Sequence, residues 1–170
     1  MSDEAPTEVR RVFGPCGPAA EPPSGALLAR GVCRLLGELG LAPVTELPLP
    51  VRKGAGLRAD VLGLAGNGEV WIVECKSCPA DFRSDRKWPG YLDWCDRFLF
   101  AVSDAFPADL LPEDHGLILA DPFAAELIRP APARPLAPAR RKSLTLHAYR
   151  AAAERLRRQL DPGASGLSAL

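Results

Sequence analysis

Residues 58–76 read R-A-D-V-L-G-L-A-G-N-G-E-V-W-I-V-E-C-K, and how this stretch folds decides the rest. It divides into two strands around a Gly-rich turn. Leu57 to Leu64 is apolar apart from Arg58 and Asp60, and Ala65-Gly66-Asn67-Gly68 supplies residues that tolerate positive φ. Val70 to Val73 is V-W-I-V, a run of high β-propensity without a polar break, as in a central strand covered on both faces. Glu74 and Lys76 follow directly. An unpaired carboxylate or ammonium is costly to bury, so both need partners, water or a cation.

Side chains alternate along a strand, which puts Glu74 and Lys76 on one face, roughly 6.5–7 Å apart, with Cys75 on the other. A three-residue loop, Gly66-Asn67-Gly68, pairs Ala65 with Glu69 and sets Asp60 opposite Glu74, their Cβ atoms about 4.5–5.5 Å apart. Two carboxylates at that separation can share one cation. A two-residue Asn67-Gly68 turn would instead place Asp60 beside Cys75 and turn Glu74 away. A site built on Asp60 and Glu74 therefore requires the odd-length loop or a compensating bulge.

The chain of 170 residues is the size of one domain with a proper core. Formal net charge is zero, which argues against a generic polyanion binder, yet the charge is unevenly placed. Residues 1–128 hold 12 Lys and Arg against 19 Asp and Glu; residues 129–170 hold 9 against 2. A basic C-terminal segment able to meet phosphates is expected. With an odd count of 5 cysteines and an acidic M-S-D-E-A-P start, a reducing, cytoplasmic setting is expected, and no apolar run approaches a membrane span. Without a P-loop or dinucleotide fingerprint, no small-molecule cofactor is expected.

Taken in order, residues 1–23 form a Pro- and Gly-rich leader expected to be disordered. A core domain over 24–128 begins with a helix after Ser24, its stripe made by Leu27, Leu28, Val32, Leu35, Leu36 and Leu39. A short strand over Pro43–Pro50 puts Leu47 and Leu49 on one face and Val44 and Glu46 on the other. The two strands already described follow, then a helix with Pro79 at its first position, running to about Arg97 with a kink or break at Pro89-Gly90. Strands are expected at Phe98–Val102 and Leu117–Ala120, with a short edge strand at Ala124–Ile128. Residues 129–142 are a Pro/Ala/Arg linker expected to be extended. A basic helix over 143–160 carries Tyr149, Ala153, Leu156 and Leu160 on one stripe, and 161–170 is a flexible tail. The result is an α/β protein of order αβββαβ, a mixed sheet flanked by helices, with a C-terminal basic helix.

Asp60, thirteen intervening residues and then Glu74-Cys75-Lys76 resemble the D…(D/E)xK signature of the PD-(D/E)XK nuclease superfamily. The wider context, R-A-D-V-L-G-L, I-V-E-C-K-S and D-F-R-S-D-R-K-W-P-G-Y-L-D-W-C-D-R-F-L-F-A-V, resembles the MmcB family of bacterial DNA repair proteins over roughly residues 27–156. Ala59 stands where the superfamily's name has Pro, a residue without side-chain chemistry. The resemblance implies a restriction-endonuclease-like core of the same αβββαβ order, DNA as substrate and a role in repair. Asp60 and Glu74 are hard-oxygen ligands suited to Mg²⁺ or Mn²⁺, and Lys76 would steady the attacking water or the developing phosphate charge. The resemblance adds the backbone carbonyl of Cys75 as a metal ligand. Glu46 is a further candidate carboxylate, and Glu38 a weaker one.

Arg58, Arg83, Lys87 and Tyr91 are candidate DNA contacts beside this site, as are Arg140, Arg141 and Lys142 in the basic segment. Lys87 and Tyr91 stand four apart, where some nucleases of the superfamily carry Gln-x-x-x-Tyr; Lys87 replaces the Gln. Cys75-Lys76-Ser77-Cys78 is a C-x-x-C without the second ligand pair a structural zinc site needs, so Cys75 reads as an apolar residue. Three functions compete on these residues: a metal-dependent DNA endonuclease, a non-catalytic DNA-binding repair module that keeps the nuclease fold, and an interaction factor whose basic segment meets a repair partner.

Overall fold

A computed structural model describes residues 23–51 and 56–163. The proposed leader, apart from Pro23, and most of the tail lie outside the described residues, as do four residues of the loop between Val51 and Leu57. The first helix, α1 (Gly25–Glu38), is followed by β1 (Leu41–Pro48), β2 (Arg58–Ala65) and β3 (Val70–Lys76). A short helix, α2 (Pro79–Ser84), and a 3-10 segment (Trp88–Trp94) lead into β4 (Arg97–Val102). Next come β5 (Gly116–Ala120), β6 (Ala125–Arg129) and a long closing helix, α3 (Pro138–Leu160). No described helix is long and apolar enough to cross a membrane.

The six strands form one mixed sheet in the order β1-β2-β3-β4-β5-β6. β1, β2 and β3 run antiparallel, β3, β4 and β5 are parallel, and β6 returns antiparallel at the edge. The αβββαβ order expected from the sequence is the order observed. Two apolar layers follow from the two-residue alternation of the strands. One face carries Val61, Val73, Cys75, Leu99 and Ile118 against Leu28, Val32 and Leu36 of α1. The other carries Leu47, Leu62, Ile72, Phe98 and Phe100 against Tyr91, Leu136 and Leu144. The central strand β3 is covered on both sides, in keeping with its unbroken V-W-I-V run.

The turn that fixes the register is the three-residue loop. Ala65 N–H donates to the Glu69 carbonyl at 2.9 Å, and Gly68 N–H to the Ala65 carbonyl at 2.9 Å. Gly68 takes φ +85°, and the Asn67 side-chain oxygen accepts Glu69 N–H at 2.9 Å. This is the hairpin form in which a turn ends on a left-handed residue, a position glycine fills without steric cost. The ladder then runs Leu64↔Val70 to Val61↔Val73, and continued by one step it brings Asp60 opposite Glu74.

Two expectations are corrected. The helix predicted from Pro79 to about Arg97 stops at Ser84, short of the proline. Asp85 ends it by turning its carboxylate back on the chain, accepting N–H from Lys87 at 2.7 Å and from Trp88 at 3.2 Å. Lys87 and Tyr91 therefore do not share a helical face: Lys87 is exposed and Tyr91 is buried. The extended segment expected over 129–142 gives way to helix at Pro138, an N1 position that needs no N–H partner. Arg140, Arg141 and Lys142 thus sit in the first turns of α3, and the Tyr149–Leu160 stripe faces solvent while Leu144 and Ala148 meet the core.

The start of α3 is fastened by Asp96. Its carboxylate accepts both guanidinium nitrogens of Arg141, at 2.7 and 2.8 Å, as well as N–H from Val70 at 2.8 Å and from Leu136 at 2.9 Å. Burial by itself would raise the Asp96 pKa; the Arg141 and backbone hydrogen bonds outweigh it and bring it down to about 2. Arg141 also donates to the Gly68 carbonyl of the hairpin loop. Arg141→Ala should cost about 3 kcal/mol, because it strips the guanidinium from a buried carboxylate; urea titration reads this directly, and unchanged stability would remove Arg141 from the fold's supports.

α1 is pinned on the opposite face at Gly31. A Cβ there would lie 2.2 Å from the Asp121 carbonyl oxygen and 2.5 Å from that of Ala124, both backbone atoms of the β5–β6 turn. Gly31→Ala should lower stability by about 3 kcal/mol, the upper end of ordinary overpacking costs. A thermal melt matching that of the unsubstituted chain would show that the turn yields.

Candidate active site

The hairpin register and the pleat bring Asp60, Glu74 and Lys76 to one face at the C-terminal end of β3. The two carboxylate strands are tied reciprocally: Asp60 Oδ2 accepts Cys75 N–H at 2.8 Å, and Glu74 Oε1 accepts Asp60 N–H at 3.4 Å. Glu74 and Lys76 are 4% and 5% exposed, so these charges stand inside the fold. Phe100, the β4 partner of Glu74, packs against Phe82 and Trp88 edge-to-face, which closes water out from the aromatic side. Burial, followed by the nearby Asp60 charge, pushes the Glu74 carboxyl up to about 8. Burial also raises Asp60, against the opposing effects of the Cys75 hydrogen bond and Lys76.

Lys76 meets a partner that the sequence did not single out. Its Nζ lies 2.5 Å from Asp85 Oδ2 and 3.7 Å from Glu74 Oε2. Burial opposes the charge on Lys76, but Asp85 and Glu74 more than compensate, and its pKa is raised. Asp85 thus works twice, ending α2 with one oxygen and holding Lys76 with the other. The one sequence signal for it is an Asp two and three residues before the N–H groups of Lys87 and Trp88, a pattern common in loops.

Glu46 lies in line with these residues. The pairs Thr45↔Val61 and Leu47↔Ala59 bracket it, so its register position is opposite Asp60, and Glu46, Asp60 and Glu74 cross three adjacent strands in a row. Its backbone adopts φ +49°, an uncommon conformation for a residue with a side chain. Arg155 of α3 holds it there, donating to the Thr45 and Glu46 carbonyls at 2.5 and 2.9 Å. The Glu46 carboxylate pairs with Arg58 at 2.9 Å at the surface, and its charge adds to the upward push on Asp60. Glu38 ends α1 on the other face of the sheet and takes no part.

The donor set fits a hard divalent cation. Two carboxylates share a face, and their mutual repulsion in a desolvated setting is the kind of charge a cation relieves. Among the described residues no three His, Cys, Asp or Glu side chains converge to hold a metal. The side chains thus offer two carboxylates, a number suited to Mg²⁺, which keeps several of its waters. The Cys75 thiol points toward α1, where burial pushes its pKa well up, and Cys33, Cys75, Cys78 and Cys95 are all free.

Of the candidate DNA contacts, Arg58, Arg83 and Lys87 are exposed, Arg58 while paired with Glu46. Tyr91 is buried and donates its hydroxyl to the Arg58 carbonyl at 2.9 Å, so it holds the start of β2. Arg141 is committed to Asp96, and Arg140 reaches Asp93 while lying over the Trp94 ring at 5.7 Å. Arg157 and Arg158 both pair with Glu154. Lys142 is exposed at the start of α3.

The fold and its buried face define a mixed-sheet α/β protein that carries a carboxylate–lysine cluster at the end of a central strand. Residues 18–163 match the family described as DNA repair protein MmcB-like, and the chain belongs to that family. It is similar to a solved structure, the SPO1766 protein of unknown function from Silicibacter pomeroyi, at 50% sequence identity and a TM-score of 0.78. That similarity covers 84% of this chain and 94% of the other. No curated protein matches the chain.

In chelator, the raised pKa of Glu74 makes stability depend on pH. The stability contributed by its proton is complete below the unfolded-state value near 4.5 and is lost as pH rises through about 8. The unfolding free energy of the metal-free protein should therefore fall across that interval, and Glu74→Gln, which stays neutral, should flatten the fall. Urea titrations at successive pH values read both; equal slopes in the two proteins would contradict the assignment.

Proposed function

We propose that this protein is a metal-dependent deoxyribonuclease, an endonuclease-type phosphodiester hydrolase acting in DNA repair. The observation that carries this reading is the single buried face shared by Asp60, Glu74 and Lys76. Such a cluster costs stability, and a protein with no use for it would be better served by apolar residues at the end of a buried strand. The likeness to the PD-(D/E)XK signature supports the same reading, and the family supplies the DNA repair setting.

In this reading Asp60 and Glu74, with the Cys75 carbonyl, hold Mg²⁺ or Mn²⁺, and Glu46 stands near as a further carboxylate. The cation supplies polarisation of the phosphodiester and a water of lowered pKa. Lys76 places a positive charge beside the scissile phosphate, and Asp85 fixes where that ammonium sits. Arg58, Arg83 and Lys87 are the exposed cations placed to hold the flanking backbone, through contacts that position DNA without reading its sequence.

A second reading, a DNA-binding repair module without catalysis, is favoured by the short Lys76–Asp85 contact, which draws the ammonium toward a carboxylate and away from a substrate. Nuclease assays over branched and damaged DNAs with Mg²⁺ and Mn²⁺ separate the two. Asp60→Asn, Glu74→Gln and Lys76→Ala should each reduce cleavage by about 100-fold or more, while the variants stay folded and still bind DNA. Wild-type protein that cuts no DNA and binds neither cation in calorimetry would leave the binding module. Full-rate cleavage by Glu74→Gln would place the chemistry elsewhere.

A further inference from the structure

Among the described residues, Glu46 is the one non-glycine with positive φ, at +49°. It stands inside β1, where the regular alternation of the strand breaks. Thr45 pairs with Val61, which packs toward α1, whereas the next pair, Leu47 with Ala59, packs in the opposite apolar layer. In a regular strand, side chains two residues apart share a face, so the pleat reverses across Glu46. A residue with a Cβ resists the left-handed region, and support has to come from outside the strand.

Arg155 supplies it from the C-terminal half of α3, 109 residues after Glu46. Successive carbonyls of an extended strand point to opposite edges. The left-handed turn brings those of Thr45 and Glu46 to one side, and the Arg155 guanidinium donates to both, at 2.5 and 2.9 Å. A planar fork fixes two acceptors together in a way that a single ammonium does not. The Glu46 side chain is held more loosely. Its ion pair with Arg58, at 2.9 Å, joins side chains 62% and 48% exposed, and such a pair adds little in water. The backbone clasp, rather than Arg58, therefore decides where the third carboxylate of the row stands.

We propose that Arg155 is a positioning residue for the carboxylate face, acting through Glu46: its clasp on β1 keeps Glu46 in line with Asp60 and Glu74, and the closing helix thereby sets how strongly the face holds a divalent cation. The proposal rests on the reading of that face as a cation site. It does not require that the cation cleave DNA.

Calorimetric titration of the full chain with Mn²⁺ tests it. Glu46→Gln should weaken binding about tenfold, the lower end of what supporting groups around a metal contribute, and Arg155→Ala should weaken it by a similar factor. The double variant should bind no more weakly than Glu46→Gln alone, because Arg155 acts through the carboxylate already removed. A merely structural Arg155 would instead lower urea stability in both backgrounds and leave the Mn²⁺ affinity alone. Arg155→Lys keeps the charge but not the fork, so it should bind as weakly as Arg155→Ala, and it keeps the test open if the alanine variant does not fold. In chelator, the amide–Hα coupling of Glu46 should move toward the extended value in both Arg155 variants. Unchanged affinity in the Arg155 variants or in Glu46→Gln, or independent losses that multiply in the double variant, overturns the proposal while leaving the cation site standing. Wild-type protein that binds neither Mn²⁺ nor Mg²⁺ defeats the cation reading itself, and the proposal with it.

Discussion

One carboxylate joins pieces of the chain that are otherwise remote. Asp96 opens β4, yet its side chain accepts the first N–H of β3, an N–H of the extended segment before α3, and the guanidinium of Arg141 within α3. Its own backbone bonds the Val70 carbonyl and the Arg134 N–H. With every acceptor site taken by a donor, the charge is held at low energy despite its burial, a condition that buried charge seldom meets. The hairpin loop is drawn into the same cluster through Arg141 and the Gly68 carbonyl. The register of β2 against β3, and so the alignment of Asp60 with Glu74, is braced from the far end of the same hairpin.

The two ends of β3 show opposite electrostatic designs. At the Asp96 end each negative charge has a matched donor and the carboxyl is driven down; at the Glu74 end the carboxylates crowd one another and are driven up. The first arrangement stabilises the fold and the second strains it. Strain of this kind is expected where charge is clustered for a purpose other than folding. Glu46 extends the contrast into the backbone, with a left-handed conformation kept in place by Arg155 from another element.

Local chemistry was legible in the sequence. Ala65-Gly66-Asn67-Gly68 announced a tight turn but suited a two-residue as well as a three-residue loop; the condition for the common face of Asp60 and Glu74 was legible, and the Ala65–Glu69 hydrogen bond meets it. Strand positions were legible because β-branched and aromatic runs announce them. Contacts that close over long separations were not. Arg141 reads as one more cation in a basic segment, and nothing near it in sequence tells that its partner lies 45 residues earlier. Asp85 was equally hidden, since a helix-favourable window continues past it and only its side chain, bonding back to the loop, ends the helix. The stripe of α3 was visible as a stripe, but periodicity alone does not say which of two apolar rows faces the core.

The strands lie side by side in the order in which the chain presents them, and this bears on how the protein is made. A ribosome releases roughly 5–20 residues per second, slow enough for a hairpin, which forms in about 1–10 μs, to open and close many times before the strands that stabilise it emerge. The β2–β3 hairpin asks for the closure of three loop residues only, so its entropic cost is small. Each later strand then finds its neighbour already present. Asp96 leaves the ribosome well before Arg141, and until α3 follows its carboxylate stands without the guanidinium. The crowded carboxylates thus leave the ribosome early and their latch late, since the helix that carries Arg141 is the last described element of the chain.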